Sequence, residues 1–226
     1  MSGAPGTPWR ARAVCFDVDG TLYPTGGRVV YRALWTPGAL RALRLLKAVR
    51  EPLRGSTFDT GELLRARVAQ ELATRAQLDV AGAHALMQRV TTTVWRAILP
   101  GAAPASTRAT LTQLRAAGFR LAALSDHDTT QKMEALGLLD AVDVLVSAED
   151  TGAYKPHPRG FEAVAKALGV TPAEVVHVGD RADADVAGAH AAGMRAILVG
   201  QHPPDASTVG VKQLRDVPAL LLRSED

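Results

Sequence analysis

Six polar residues in this chain have types and positions suited to moving a phosphoryl group. Asp17 and Asp19 lie two residues apart in Asp17-Val-Asp-Gly-Thr21, directly after the apolar run Ala13-Val-Cys-Phe16. On an extended segment that spacing turns both carboxylates the same way. Ser125 follows the apolar run Leu121-Ala-Ala-Leu124, Lys155 stands in Lys155-Pro-His-Pro158, and Asp180 and Asp185 lie in Gly179-Asp-Arg-Ala-Asp-Ala-Asp185. Clustered carboxylates repel one another unless a cation holds them. A site with few carboxylates that keeps several waters suits Mg²⁺. Lys155 supplies a fixed positive charge, and Ser125 with nearby backbone N–H groups supplies donors for phosphoryl oxygens. Stabilising charge on a transferring phosphoryl group is most of that catalytic task. Each residue has an ordinary reading on its own. Asp17 and Asp19 fit turn residues, Ser125 a helix cap, Lys155 a solvated loop lysine and Asp185 a helix-surface acid.

The elements that must carry these residues separate the two readings. Apolar runs bounded by turn signals read as buried strands at 13–16, 121–124, 142–146, 175–178 and 196–199. Helical patterns lie between them at 105–117, 129–136, 159–168 and 183–192, each stopping at a glycine (Gly118, Gly137, Gly169, Gly193). Strand and helix alternate, so the spacing predicts an α/β core, doubly wound and Rossmann-like, with a mainly parallel sheet. Ligands of such sheets bind outside the carboxyl ends of the strands, which is where Asp17, Ser125, Lys155 and Asp180 converge from distant parts of the sequence.

The stretch 22–100 breaks the rhythm and reads as all-helical. Thr36-Pro37 suggests an N-cap and first turn before Leu40, Leu43, Leu46 and Val49. Arg41, Arg44, Lys47 and Arg50 recur on another face, the pattern of a solvated helix side, with contact to an anionic substrate or partner as the alternative. Asp59 with Glu62 suggests a capping box before Leu63, Leu64, Val68 and Leu72. Asp79 suggests a cap for a third helix carrying Leu86, Val90, Val94 and Ile98. The expected organisation is a catalytic core of residues 11–21 and 101–226, an inserted helical cap of residues 22–100, and a loose Gly- and Pro-rich tail over 1–10. Tyr31, Arg32, Trp35, Trp95 and Arg96 are candidates for lining the cap side of a pocket.

The 226 residues, 47% hydrophobic and 22% charged, suit a soluble globular protein. A net charge of +3 with arginines spread along the chain argues against nucleic acid as the main partner. Cys15 is the single cysteine and has no partner for an internal disulfide, which points to a reducing compartment, the cytoplasm. No segment approaches a membrane span, and the first residues lack an apolar signal core. Cys15 reads as a small core residue and His177, inside a strand, as a hydrogen-bonded core histidine.

Taken together and in this order, Asp17-Val-Asp-Gly-Thr21, Leu124-Ser125, Lys155-Pro-His-Pro158 and the segment 179–185 resemble the motifs of the haloacid dehalogenase-like hydrolases. The resemblance spans residues 13–200 apart from the insert. It implies that Asp17 attacks phosphorus to form an aspartyl-phosphate and that Asp19 is the acid/base. It also implies that Mg²⁺ is held by Asp17, the backbone carbonyl of Asp19 and Asp180, with Asp185 just outside. The insert resembles the helical cap of phosphoglycolate phosphatase-like members. The dehalogenases lack an acid at the Asp19 position, because a halide leaves without protonation, so Asp19 resembles the phosphatases and mutases. Asp126 departs from the pattern, since many relatives carry asparagine there. Asp183 is an added acid that suggests a cap for the following helix. The resulting expectation is hydrolysis of a small phosphomonoester. The alternatives are a phosphomutase acting on a sugar phosphate, a phosphorylation-responsive module without turnover, and a scaffold.

Overall fold

β1 (Ala13–Asp17) is buried along its whole length and runs parallel to both of its neighbours, β2 (Arg120–Ser125) and β4 (Val175–Gly179). β3 (Val144–Ser147) lies outside β2, and β5 (Arg195–Val199) and β6 (Val209–Val211) lie outside β4. The order is β3-β2-β1-β4-β5-β6, all parallel. This computed structural model describes residues 11–222, so the tail expected over 1–10 lies outside it. Strand β6 has no counterpart in the sequence reading; three residues interrupted by Gly210 give too short an apolar run to register.

The sheet is buried on both faces, which is why its strands read as continuous apolar runs. Ala13 and Cys15 face one cluster, shared with Phe161, Val164 and Leu168 of α8 (Arg159–Leu168) and Ala189 of α9 (Ala187–Ala191). Val14 and Phe16 face the other, with Leu111 and Leu114 of α6 (Ala105–Ala116), Met133 and Leu136 of α7 (Thr129–Leu136) and Val217 of α10 (Val217–Leu221). Gly137 and Gly169 close α7 and α8 in the left-handed conformation, as expected of those stops.

Between β1 and α6 the chain is helical: α1 (Arg28–Trp35), α2 (Ala39–Arg50), α3 (Gly61–Ala76), α4 (Val80–Arg89), a π-helical stretch Val90–Val94 and α5 (Trp95–Ile98). Several expected boundaries shift. Thr36 does not cap α2; its hydroxyl donates to the Arg32 carbonyl and closes α1, and α2 starts after left-handed Gly38. Thr60, not Asp59, caps α3 by accepting from the Leu63 N–H. Asp79 caps α4 as expected, by accepting from the Gly82 N–H. The helix expected over 183–192 begins instead as a π-helical stretch at Ala182, and Asp183 pairs with Arg181 rather than capping it.

The helical segment shares its apolar cluster with one face of the sheet, from Val14 through Leu64, Val68 and Leu72. Backbone contacts fasten it as well. The Phe58 N–H donates to the Gly152 carbonyl at 2.8 Å, and Arg159 Nη1 donates back to the Phe58 carbonyl at 2.7 Å. Gly152 has φ of +78°, and a Cβ there would overlap the Phe58 carbonyl oxygen. Gly152→Ala therefore meets both left-handed strain and a backbone clash. It is expected to lose about 2 kcal/mol or more in urea unfolding. A loss under about 0.5 kcal/mol would show that this junction does not hold the segment in place.

Candidate active site

The reversal of strand order falls between β1 and β4, and the crevice at their carboxyl ends is where an open parallel sheet presents side chains to a ligand. Asp17 ends β1, Ser125 ends β2, and Asp180 follows Gly179 at the end of β4. After Asp17 the chain folds back at once. The Leu22 N–H donates to the Val18 carbonyl and the Gly20 N–H to the Tyr23 carbonyl, with Gly20 at φ +99°. A side chain on Gly20 would run into the Asp180 carboxylate.

The six residues singled out by the sequence lie in two linked groups. In the first, Lys155 Nζ donates to Asp17 Oδ1 at 2.5 Å and to Asp185 Oδ1 at 2.7 Å. Asp185 also meets His177 Nε2 at 3.2 Å and accepts the Arg181 N–H at 3.0 Å. His177 is the buried, hydrogen-bonded core histidine expected, with its ring edge-on to Phe161. Asp17 Oδ2 and Asp180 Oδ1 are buried with no hydrogen-bond partner. Carboxylate oxygens of Asp17, Asp180 and Asp185 all lie within 4.8 Å of one another. Burial pushes the Asp17 carboxyl well up, and the Asp185 charge adds to this against the pull of Lys155. Orphaned acid oxygens converging in this way fit a hard cation.

In the second group, Asp19 Oδ2 accepts from Lys132 Nζ and from Ser125 Oγ at 3.0 Å, and Asp19 Oδ1 accepts from the Tyr23 hydroxyl. Lys132 Nζ also donates to Ser125 Oγ at 3.0 Å. Burial alone would raise the Asp19 carboxyl, but Lys132 and the hydrogen bonds outweigh it and hold the group below the usual range. The Ser125 N–H is taken by Thr129 Oγ1, and the hydroxyl proton is given to Asp19. Lys132, fully buried on α7, has no signature in the sequence, where it reads as one lysine in a polar turn of helix.

Asp126, the departure from the family pattern, is turned aside and paired. It accepts the Lys155 N–H at 2.9 Å and Arg54 Nη2 at 2.6 Å, while Arg54 Nη1 reaches the Lys155 carbonyl at 2.6 Å. Its charge thus fixes the Lys155 loop. Cys15 is buried and its thiol pushed up by burial, so it acts as a packing residue.

Above these groups lies a cavity of about 570 Å³ between the sheet edge and α2. Trp95 lines it and donates from Nε1 to Asp128 Oδ2 at 3.1 Å. Tyr31 and Trp35 are exposed on α1, Arg32 bonds the Pro100 carbonyl and Arg96 pairs with Glu134, and none of these four lines the cavity. The basic stripe of α2 is not wholly solvated. Arg44, Lys47 and Arg50 line the cavity, and Arg50 is buried. Helix α2 leans over the sheet edge, a tertiary placement that its own periodicity does not encode. Near Arg50 lies buried Glu149, whose carboxyl is pushed up to about 7, chiefly by burial. Among the described residues no helix is long and apolar enough to cross a membrane.

The profile of the haloacid dehalogenase-like hydrolases matches residues 11–193. The chain belongs to this family. It is 31% identical over 203 residues to the glyceraldehyde 3-phosphate phosphatase of Methanopyrus kandleri, covering 83% of each chain. Among solved structures it resembles a 2-haloacid dehalogenase from Pseudomonas syringae (TM-score 0.67, 26% identity, 93% of this chain and 98% of that one). It also shares the fold of a phosphatase of the family from Thermococcus onnurineus (TM-score 0.63, 24% identity, 93% and 98%).

Glu149 generates a pH prediction. The folded protein keeps this proton up to about pH 7, whereas an unfolded glutamate releases it near pH 4.5. Its contribution to stability is therefore full below the lower value and is lost as pH rises through the upper one. Glu149→Gln has no proton to lose. It should match the wild type in urea unfolding at pH 4.5 and exceed it at pH 8, by about 3 kcal/mol at most. A variant less stable than the wild type at pH 8 would show that Glu149 works there as a stabilising carboxylate.

Proposed function

We propose that this chain is a phosphatase that hydrolyses a small phosphomonoester through an aspartyl-phosphate on Asp17. The observation that carries the reading is the buried Asp17–Lys155–Asp185 contact beside a separately held Asp19. One carboxylate is fixed and desolvated while the other keeps a hydrogen-bond network to proton-bearing groups. The relatives named as glyceraldehyde 3-phosphate phosphatases support a small sugar phosphate as substrate.

In the first half-reaction an Asp17 oxygen attacks phosphorus, the ester P–O bond breaks, and Asp19 gives a proton to the departing alcohol oxygen. Lys132 and Tyr23 hold Asp19 in its charged form in the free protein. The negative charge of a phosphoryl group seated beside it opposes that bias and favours the proton. In the second half-reaction the Asp19 carboxylate takes a proton from water as the water attacks phosphorus, releasing phosphate and restoring Asp17. Lys155 and the Ser125 hydroxyl face the charge that develops. Asp17, Asp180 and the Asp19 carbonyl, with Asp185 behind them, would hold Mg²⁺, which when bound neutralises phosphoryl charge. A dehalogenase, which the solved neighbours bring to mind, needs no proton donor where Asp19 stands.

We read residues 11–21 and 101–226 as the catalytic core and 22–100 as a cap that selects the substrate, with Gly26-Gly27 and 100–104 as the crossings. The single buried thiol of Cys15 suits a cytoplasmic enzyme.

The test is phosphate release from a panel of phosphomonoesters. Release should stop in EDTA and return with Mg²⁺. Asp17→Asn should release none while keeping the wild-type circular dichroism. Asp19→Asn should lose about 10²–10⁴-fold in kcat. Unchanged release by folded Asp17→Asn would end the covalent reading, and an Asp19→Asn enzyme within about 3-fold of wild type would remove the acid/base role.

A further inference from the structure

The cations around the cavity divide into two sets. Lys132, Lys155 and Arg181 of the core, and Arg54 just after α2, each have a carboxylate partner within 3 Å. Arg44, Lys47 and Arg50 of α2 do not. The side chains of Arg44 and Lys47 have no hydrogen bond or ion pair among the described residues. Arg50 is nine-tenths buried, and its nearest acid oxygen, Glu149 Oε2, is 3.9 Å from Nη2, beyond hydrogen-bond reach. Arg50 Nε and Glu149 Oε2 are both buried without a hydrogen-bond partner.

Burying a guanidinium without a bonded counter-charge is unfavourable, and a protein tolerates it where a ligand supplies the missing anion. Other nearby groups do not supply it. Asp128 is already engaged by Trp95 Nε1 and by Thr91 Oγ1 at 2.9 Å. Glu149 holds its proton up to about pH 7, and His127, pushed down to about 4 by burial and then by Arg50 and Lys132, is neutral. Arginine suits planar, paired recognition of a carboxylate or phosphate, and Lys47 and Arg44, on the turns before it, extend the positive wall.

We infer that Arg50, with Lys47 and Arg44, forms a subsite for a second anionic group, so that the substrate is a phosphomonoester carrying a further carboxylate or phosphate at its other end. The inference rests on the phosphatase reading and narrows its substrate class to doubly anionic esters, away from the glyceraldehyde 3-phosphate of the named relatives, which has no second anion. The phosphoryl group sits at Asp17, and the remote anion meets α2 across the cavity. Leu40, Leu43 and Leu46 of α2 also line the cavity and leave room for a short carbon skeleton between the two charges.

The test uses stable phosphonates in Mg²⁺ buffer, titrated calorimetrically into the full chain. One series carries a terminal carboxylate one to four methylenes from the phosphonate. A second carries the matching uncharged carboxamide, and a third a second phosphonate. For at least one chain length the wild type should bind a doubly anionic probe about 10-fold or more tighter than the carboxamide, the effect of one charge-assisted contact. Arg50→Gln should erase that difference, and Lys47→Ala, at an exposed position, should reduce it. The better of the two charged series assigns the remote group as carboxylate or phosphate. Equal binding of charged and uncharged probes by the wild type overturns the subsite, whether or not the Arg50 variant folds. So does a folded Arg50→Gln protein that keeps the full discrimination. Hydrolysis of uncharged-tail esters with no charge discrimination would remove the subsite and leave the phosphatase reading standing. Charge discrimination without hydrolysis of any ester would do the reverse.

Discussion

Lys155 Nζ lies between Asp17 Oδ1 and Asp185 Oδ1, with all three side chains buried, and the rest of the site is arranged around that contact. Two carboxylates this close in a desolvated place do not both keep their charge without a cation between them. The fold supplies the cation from a different strand connection. Asp17 comes from the end of β1, Asp185 from the stretch after β4, and Lys155 from the loop after β3. The bridge therefore ties three crossings at one edge of the sheet. Asp126 and Arg54 hold the loop that delivers the lysine. The position of Asp126 explains how an added acid is tolerated beside a phosphoryl site: its charge is spent on the Lys155 backbone and on Arg54.

The second consequence concerns Asp19. It stands two residues from Asp17, yet it belongs to a different network, because Gly20 turns the chain sharply and Lys132 and Tyr23 draw the carboxylate toward β2 and α7. Neighbouring acids with different partners acquire different proton affinities: Asp17 is raised and Asp19 is lowered. A nucleophile must be ionised and an acid must hold a proton, so the reaction has to reverse both biases: a bound cation would lower Asp17, and a phosphoryl group seated beside Asp19 would raise it. The helical segment closes the other side of the cavity, fastened through Gly152 and Phe58 and continuous with one face of the sheet core.

Much of this arrangement is legible in the chain before any coordinates. Parallel strands buried on both faces leave apolar runs, left-handed helix ends leave glycines, and the candidate residues lie at strand ends or in the loops after them, so β1 to β5 and the positions of Asp17, Ser125, Lys155 and Asp180 can be read. The parts that cannot be read depend on tertiary placement. Lys132 and Arg54 contact residues 113 and 72 positions away, and no local spacing announces such contacts. Arg50 sits in a stripe that looks solvated until α2 is laid across the sheet edge. Thr36 and Thr60 illustrate how hydroxyl side chains compete for backbone groups within a residue or two of one another, which blurs helix ends. β6 and the π-helical stretch at Val90–Val94 are too short or too irregular to leave a period.

The central claim is that Asp17 becomes covalently phosphorylated, and trapping that adduct tests it most directly. The Mg²⁺-loaded protein would be mixed with a hydrolysed ester, quenched in acid within a turnover, reduced with borohydride to convert any acyl phosphate to an alcohol, and mapped by peptide mass spectrometry. Conversion of Asp17 alone to homoserine, absent without ester and absent in Asp17→Asn, is the predicted result. Steady phosphate release with Asp17 unmodified, or with the adduct on another residue, would contradict the account.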